Sequence, residues 1–282
     1  MCALCKDVCC LEDVDLRKTK NVRQCSLYLE YILRVLNDPI GACYAGINWI
    51  SENPKLEAVF RIRGWIINFR SIKCLTKASD KIVFQFHKEF RSKASLHFHV
   101  LSGLKSFKNP SDSEALGVPE IQWVSAPEFL YIITRIMKPN VVVETGVASG
   151  VSSAYILQAL EDNNEGELYS IDISAYIPRG VKPTGWIVPS SLRHRWHLII
   201  GSSSEKLPHL LEILREIDVF LHDSLHTYKN MLWEYKTAWP FIRKDGILLS
   251  HDIQENDAFS EFCEHVNCKG IYVSNSFGGI RK

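Results

Sequence analysis

Phe129, Ile132, Ile133 and Ile136 recur at the three- and four-residue spacing of one helix face. Ser125 and Glu128 precede them as a capping box, with Pro127 in the first turn, where its missing N–H costs nothing. Pro139 ends the run. The stretch NVVVE (140–144) follows, β-branched and without alternation, the pattern of a strand buried on both faces. From there the pattern predicts a helix over 152–163, strands over 167–172 and 196–201, and a helix around 205–217. It continues with a strand over 218–223, a helix over 228–242, a strand over 246–252, a helix over 254–266 and a last strand over 270–275. Repeated strand–helix–strand units with short loops predict an α/β fold, a doubly wound and mostly parallel sheet with helices on both faces.

Upstream the pattern changes. Residues 24–38 predict an amphipathic helix, so a mainly helical extension precedes the sheet. The stretch SGLKSFKNPSDSEALGVPE (102–120) is rich in Ser, Lys, Pro and Gly and reads as a linker. The expected organisation is an extension over 1–101, a linker over 102–119 and the α/β domain over 120–282.

Composition narrows the function classes. The 282 residues carry a formal net charge of +1, which excludes polyanion binding by bulk charge. No apolar run reaches the roughly 18–20 residues needed to span a bilayer. The first residues, MCALCKDVCCLEDVD, contain acids and no apolar core, unlike a secretory signal. Nine cysteines without a signal are expected as reduced thiols in a cytoplasmic protein. Cys2, Cys5, Cys9 and Cys10 fit no standard zinc spacing and read as a thiol-rich tail, with a metal site as the alternative.

In open parallel sheets ligands bind beyond the carboxyl ends of the strands, so chemistry is sought there. The first strand runs into Glu144-Thr-Gly146-Val-Ala148-Ser-Gly150. This turn departs from the dinucleotide fingerprint GxGxxG at two glycines. Glu144 would also repel a pyrophosphate at a helix N-terminus. It suits a ligand that is cationic or rich in donors. S-adenosylmethionine, with its sulfonium, ammonium and ribose diol, fits: the glycines allow close backbone approach and the carboxylate holds the methionine end directly or through water. A plain strand–helix turn is the bland alternative. Asp172 ends the second strand, where an acid can accept from ribose hydroxyls. The fourth and fifth strands end in His222, Asp223, His226 and Tyr228, and in His251 and Asp252. Such a cluster can bind a divalent cation or move protons, and the residues leave both open.

The segments VVVETGVASGVSS, LYSIDI, FLHDSLHTYKNMLWEYKTAWPFI and RKDGILLSHDI together resemble the Rossmann-like, class I S-adenosylmethionine-dependent methyltransferases. The closest branch carries Asp-x-x-His-x-Tyr after strand four and Gly-x-hydrophobic-x-x-His-Asp at strand five. Asp223, His226 and Tyr228 match the first pattern, and Gly246, His251 and Asp252 the second. The resemblance covers about residues 120–282. It implies that Glu144, Gly146 and Gly150 line the methionine side, with Ala148 in place of a frequent middle glycine. It implies that Asp172 holds the ribose and that Gly201 and Ser202 lie near the adenine. His222, where many relatives have a hydrophobic residue, is grouped with the cofactor-facing positions. Some relatives hold magnesium at these strand tips, which makes Asp223, His251 and Asp252 candidate ligands for magnesium or manganese. The expected reaction is methyl transfer to a hydroxyl of a small molecule or glycan, with His226 as first and Asp223 as second choice of base. A non-catalytic binding or scaffold protein on this fold and an NAD-dependent oxidoreductase are the competing classes.

Lys55–Lys108 holds 12 Lys/Arg against 3 Asp/Glu. Within it, 55–77 interleaves basic and apolar residues. It is expected as a cap on the sheet with a solvated basic face, with peripheral contact to an anionic membrane as an alternative and nucleic acid a weaker one. The insertion 174–195, with Arg179, Trp186, Arg193 and Arg195, reads equally as a lid or as a surface loop. The sequence names neither the acceptor nor an oligomeric state.

Overall fold

The computed structural model describes residues 69–105, 126–177, 182–273 and 276–282. The chain divides into two compact units, 1–60 and 61–282. All described residues lie in the second. The predicted helix over 24–38, the thiol-rich tail, Ser125, Arg179 and all of 55–77 before Phe69 lie outside them.

A helical segment over 69–76 is followed by α1 (Asp80–Ser92), α2 (Ala94–Lys105) and α3 (Ala126–Met137). The alternating part runs β1 (Val141–Thr145), α4 (Val151–Asn163), β2 (Glu167–Asp172), β3 (Trp196–Ile200), α5 (Ser203–Leu214), β4 (Ile217–His222), α6 (Tyr228–Ala238), β5 (Ile242–His251), α7 (Ala258–His265), β6 (Ile271–Tyr272) and β7 (Phe277–Arg281). The seven strands form one sheet in the order β3-β2-β1-β4-β5-β7-β6. The first five are parallel, and β7 pairs antiparallel with β5 and with β6.

Most differences from the sequence expectation have simple causes. The helix predicted over 228–242 stops at Ala238, because Pro240 turns Trp239–Phe241 into a 3-10 turn. The strand predicted over 270–275 shrinks to Ile271–Tyr272, and the true last strand is Phe277–Arg281, hidden by Gly278 and Gly279. Those glycines fit because the strand is crowded on both faces there. A Cβ on Gly278 would meet Ile253 at 2.8 Å, and one on Gly279 would meet Leu249 at 2.7 Å. Helix α2 continues to Lys105, into the segment read as a linker, and the two units part after Phe60. Glu128 does not stay at its own helix end: its carboxylate pairs with His87 of α1.

Burial alternates along the strands. Val142, Leu168, Val219, Leu221, Ile247 and Leu249 pack with α1–α4, while Val143, Ile171, Phe220, Leu248 and Ile280 pack with α5–α7. All six residues of β4 are buried, as expected of a central strand covered on both faces. The register places Thr145 opposite His222 and His222 opposite Ser250. The tips of β1, β4 and β5 therefore end level, and their next residues emerge on one rim.

Candidate active site

Three backbone bonds set that rim. The amide of Gly146 donates to the Ile171 carbonyl, that of Asp223 to Thr145 and that of Gly201 to Asp172, each at 2.8 Å. The loops after β1, β2, β3 and β4 thus leave the sheet side by side.

The β1 loop needs its glycines for packing. Gly146 has φ +82°, and a Cβ on it would fall 1.9 Å from the carbonyl oxygen of Asp223. Gly150 has φ +89°, and its Cβ would lie 2.8 Å from Gly185 Cα. The expected reason, close approach to a ligand, is thus joined by a stronger one, close approach of two neighbouring loops. Ala148 also takes a left-handed conformation, φ +47°, and is exposed at the loop apex. Its methyl is tolerated at a cost of roughly 1–2 kcal/mol.

Glu144 does not open into the cleft. It is fully buried, and its oxygens accept from the hydroxyls of Ser152 (2.5 Å), Ser153 (2.6 Å) and Ser170 (2.7 Å). Of these three serines Ser152 is half-buried, and Ser153 and Ser170 are buried. Burial pushes the Glu144 carboxyl up to about 7, against the three hydroxyls that favour its ionised form.

Asp172 is placed as expected at the tip of β2. Its Oδ2 accepts from the amides of Val147 (2.9 Å) and Ala148 (3.0 Å), and its Oδ1 from Ser174 (3.0 Å). A carboxylate has about four acceptor positions, so one remains on Oδ1. Ile173, the next residue, is 78% exposed. Gly201 starts the following loop, and Ser202 caps α5 by accepting from the amide of Ser204.

The insertion after β2 is packed in its described part. Gly185 donates to the Ala148 carbonyl (2.8 Å) and Ile187 to that of Ser149 (3.0 Å), which seats the insertion against the β1 loop. Arg193 donates to the Gly185 carbonyl at 2.8 Å and lies over Trp196, and Arg195 pairs with Glu161. These two arginines are committed to the scaffold rather than to a ligand.

Asp223, His226, His251 and Asp252 meet beyond β4 and β5. Asp223 Oδ1 lies 3.0 Å from His251 Nδ1 and 3.5 Å from His226 Nε2. Asp252 Oδ2 lies 3.3 Å from His226 Nδ1 and 3.4 Å from His251 Nδ1. Burial disfavours the charged forms of Asp223, His251 and Asp252. The histidines outweigh it at Asp223 and hold that carboxyl well below the usual range. Asp223 and then Asp252 outweigh it at His251 and lift the imidazole to about 10. One donor atom each from Asp223, His226 and His251 lies within 4.8 Å of the other two. His226 Nε2 and His251 Nδ1 are buried, and neither makes a hydrogen bond of good geometry among the described residues. The group that can hold a cation is thus Asp223 with both histidines, and Asp252 stands beside it. Tyr228, at the start of α6, points elsewhere and donates to Glu261 at 2.7 Å.

His222 was expected to face the cofactor. It is instead fully buried under the cluster, with Nδ1 2.6 Å from Glu234 Oε2. Glu234 escaped the sequence reading. Its signal was available: it shares the buried face of α6 with Met231, Tyr235 and Ala238, where a charge is out of place. Ser152, Ser153 and Ser170 carried no signal of their own.

Residues 143–253 match the family model described as a methyltransferase domain. No curated protein matches the chain by sequence. Among solved structures, the SAH-bound methyltransferase PaMTH1 of Podospora anserina is 17% identical, with 67% of this chain and 87% of that one covered and a TM-score of 0.49. The O-methyltransferase from Bacillus cereus in complex with SAH is 14% identical, with coverages of 67% and 91% and a TM-score of 0.47. A methyltransferase from Geobacter sulfurreducens is 17% identical, with coverages of 65% and 87% and a TM-score of 0.48.

Proposed function

We propose, for a chain whose residues 143–253 form a methyltransferase domain of the Rossmann-like, class I type, that it transfers the methyl group of S-adenosylmethionine to a hydroxyl of a small molecule or glycan. One observation carries this reading. The Asp172 carboxylate occupies the amides of Val147 and Ala148, beside a rim that also holds Asp223 and Asp252. A dinucleotide pyrophosphate would have to displace Asp172 from those amides and sit among carboxylates. A sulfonium and an ammonium are attracted by the same charges. This disfavours the oxidoreductase reading. The scaffold reading predicts a damaged pocket, whereas the loop, Asp172 and the cluster are all in place.

S-adenosylmethionine would lie across the tips of β1 and β2. The remaining acceptor position on Asp172 Oδ1 suits a ribose hydroxyl, and the exposed Ile173 offers an apolar surface for the purine. Gly201 and Ser202 border the same side. Bound there, the cofactor supplies an electrophilic methyl group on sulfur. Much of the rest is alignment of an acceptor oxygen with it.

His226 is assigned as the base for the acceptor proton, and Asp223 and Asp252 compensate the charge it gains. The second reading is a divalent cation on Asp223, His226 and His251, which would lower the hydroxyl pKa. Two imidazoles and a carboxylate suit manganese, iron or zinc better than magnesium. A ligating His226 would be unavailable as base, so the two readings exclude each other.

Calorimetric titration with S-adenosylmethionine, with NAD and an Asp172→Ala variant alongside, tests the cofactor. Binding that the variant loses supports the assignment. A folded protein that binds NAD, or binds neither, overturns it.

A further inference from the structure

The buried carboxylate of Glu234 has no part in the reaction described so far, yet it gathers donors from the segments around Asp223 and His226. Its Oε2 accepts from Thr145 Oγ1 at 2.5 Å and meets His222 Nδ1 at 2.6 Å. Its Oε1 accepts from Ser224 Oγ at 2.7 Å and from Asn230 Nδ2 at 3.3 Å. Asn230 Nδ2 also donates to the Leu225 carbonyl at 3.0 Å. The tips of β1 and β4, the loop after β4 and the first turn of α6 are therefore joined through one side chain. Thr145, His222 and Glu234 are all 0% exposed.

We propose that Glu234 is the positioning residue of the acceptor-side cluster: it fixes His222 with its proton on Nδ1 and latches the loop that presents Asp223 and His226. The reason is chemical. Burial alone would neutralise the carboxyl, but His222 and the hydroxyl donors outweigh it and keep it ionised. An ionised carboxylate only accepts hydrogen bonds, so Nδ1 of His222 carries a hydrogen, whereas a hydrogen on Nε2 would be buried without an acceptor among the described residues. That Nε2 is buried and has no hydrogen-bond partner among the described residues. The ring stands edge-on to His226, with centroids 5.6 Å apart and planes at 90°. It forms the floor on which His226 rests. Neither Glu234 nor His222 reaches the rim. Their effect on the reaction passes through Asp223 and His226, and the inference rests on that reading of the cluster.

The test uses the full chain labelled with 15N-histidine, with His222 identified by the signals missing from a His222→Gln variant. In the unmodified chain His222 is expected with the hydrogen on Nδ1 and a bare Nε2. Glu234→Gln, nearly isosteric, should move His222 off that tautomer, and Glu234→Asp should restore it. Calorimetry should show SAH affinity unchanged in Glu234→Gln, which separates a positioning role from general loss of structure. His222 with its hydrogen on Nε2 in the unmodified chain, or an unchanged tautomer in Glu234→Gln, overturns the proposal. Should Glu234→Gln not fold, the spectrum of the unmodified chain decides the tautomer. Asn230→Ala then decides the latch, through faster amide exchange over 224–227 or its absence. An unmodified chain that fails to bind SAH sinks the methyltransferase reading but leaves the tautomer result standing.

Discussion

Asp223 Oδ1 and His251 Nδ1 stand 3.0 Å apart, from two neighbouring strand tips. The pair binds the two halves of the cluster. Asp223→Asn keeps the shape and removes the charge. Methyl transfer to a screened acceptor should fall by about 10²–10⁴-fold, the usual worth of a positioned acid–base group. SAH affinity, measured by calorimetry, should hold. Equal loss of both would place Asp223 in cofactor binding instead.

The base and cation readings part under chelation. If Asp223, His226 and His251 hold manganese, its paramagnetic resonance signal should change on binding and the bound fraction should be lost in His251→Ala. Activity should then vanish after chelator treatment and return with metal. Activity indifferent to chelator assigns the proton to His226 alone.

Asp172 supports the β1 loop as well as a ligand. Asp172→Ala leaves the amides of Val147 and Ala148 without their carboxylate. Hydrogen bonds to a charged group are worth about 1.5–3 kcal/mol each. The variant should therefore unfold at lower urea concentration, by about 3 kcal/mol, in addition to losing cofactor affinity. A variant as stable as the parent would show that the loop holds itself.

Glu144 should leave a signature in the pH dependence of stability. Its carboxyl sits at about 7 in the fold against an ordinary value near 4.5. The folded state keeps a proton that the unfolded chain has lost, so its contribution falls as pH rises from about 4.5 to 7 and is level above. The full span is on the order of 3 kcal/mol. Urea unfolding of the parent and of Glu144→Gln across that range checks it. The difference between them should change steadily with pH, and a constant difference refutes the shift.

The β1 loop offers a matched pair. Gly146→Ala forces a methyl group into the Asp223 carbonyl and should prevent folding or cost several kcal/mol. Ala148→Gly relieves a left-handed alanine at an exposed position. The relief, about 1–2 kcal/mol, is partly offset by the freedom glycine gains when unfolded, about 0.5–1 kcal/mol. Thermal melting should find that variant unchanged or slightly more stable.

Much of this protein was legible along the chain. The unbroken run Val141–Val143, the acids at the tips of β1, β2, β4 and β5 and the histidines at the ends of β4 and β5 follow from local composition, because parallel strands and strand-end loops impose local patterns. Those patterns determined the α/β fold and brought Asp172, Asp223, His226, His251 and Asp252 to one rim. They could not say which way a side chain turns. In VVVET the three valines suit either face, so nothing in the sequence separates Glu144, which turns toward α4 and its serines, from Thr145, which turns toward Glu234. Only the register of three strands and the packing of α4 and α6 decided that. The same holds for Phe277–Arg281: its glycines argue locally against a strand, and the antiparallel bonds that make it one come from β5, a partner distant in the chain.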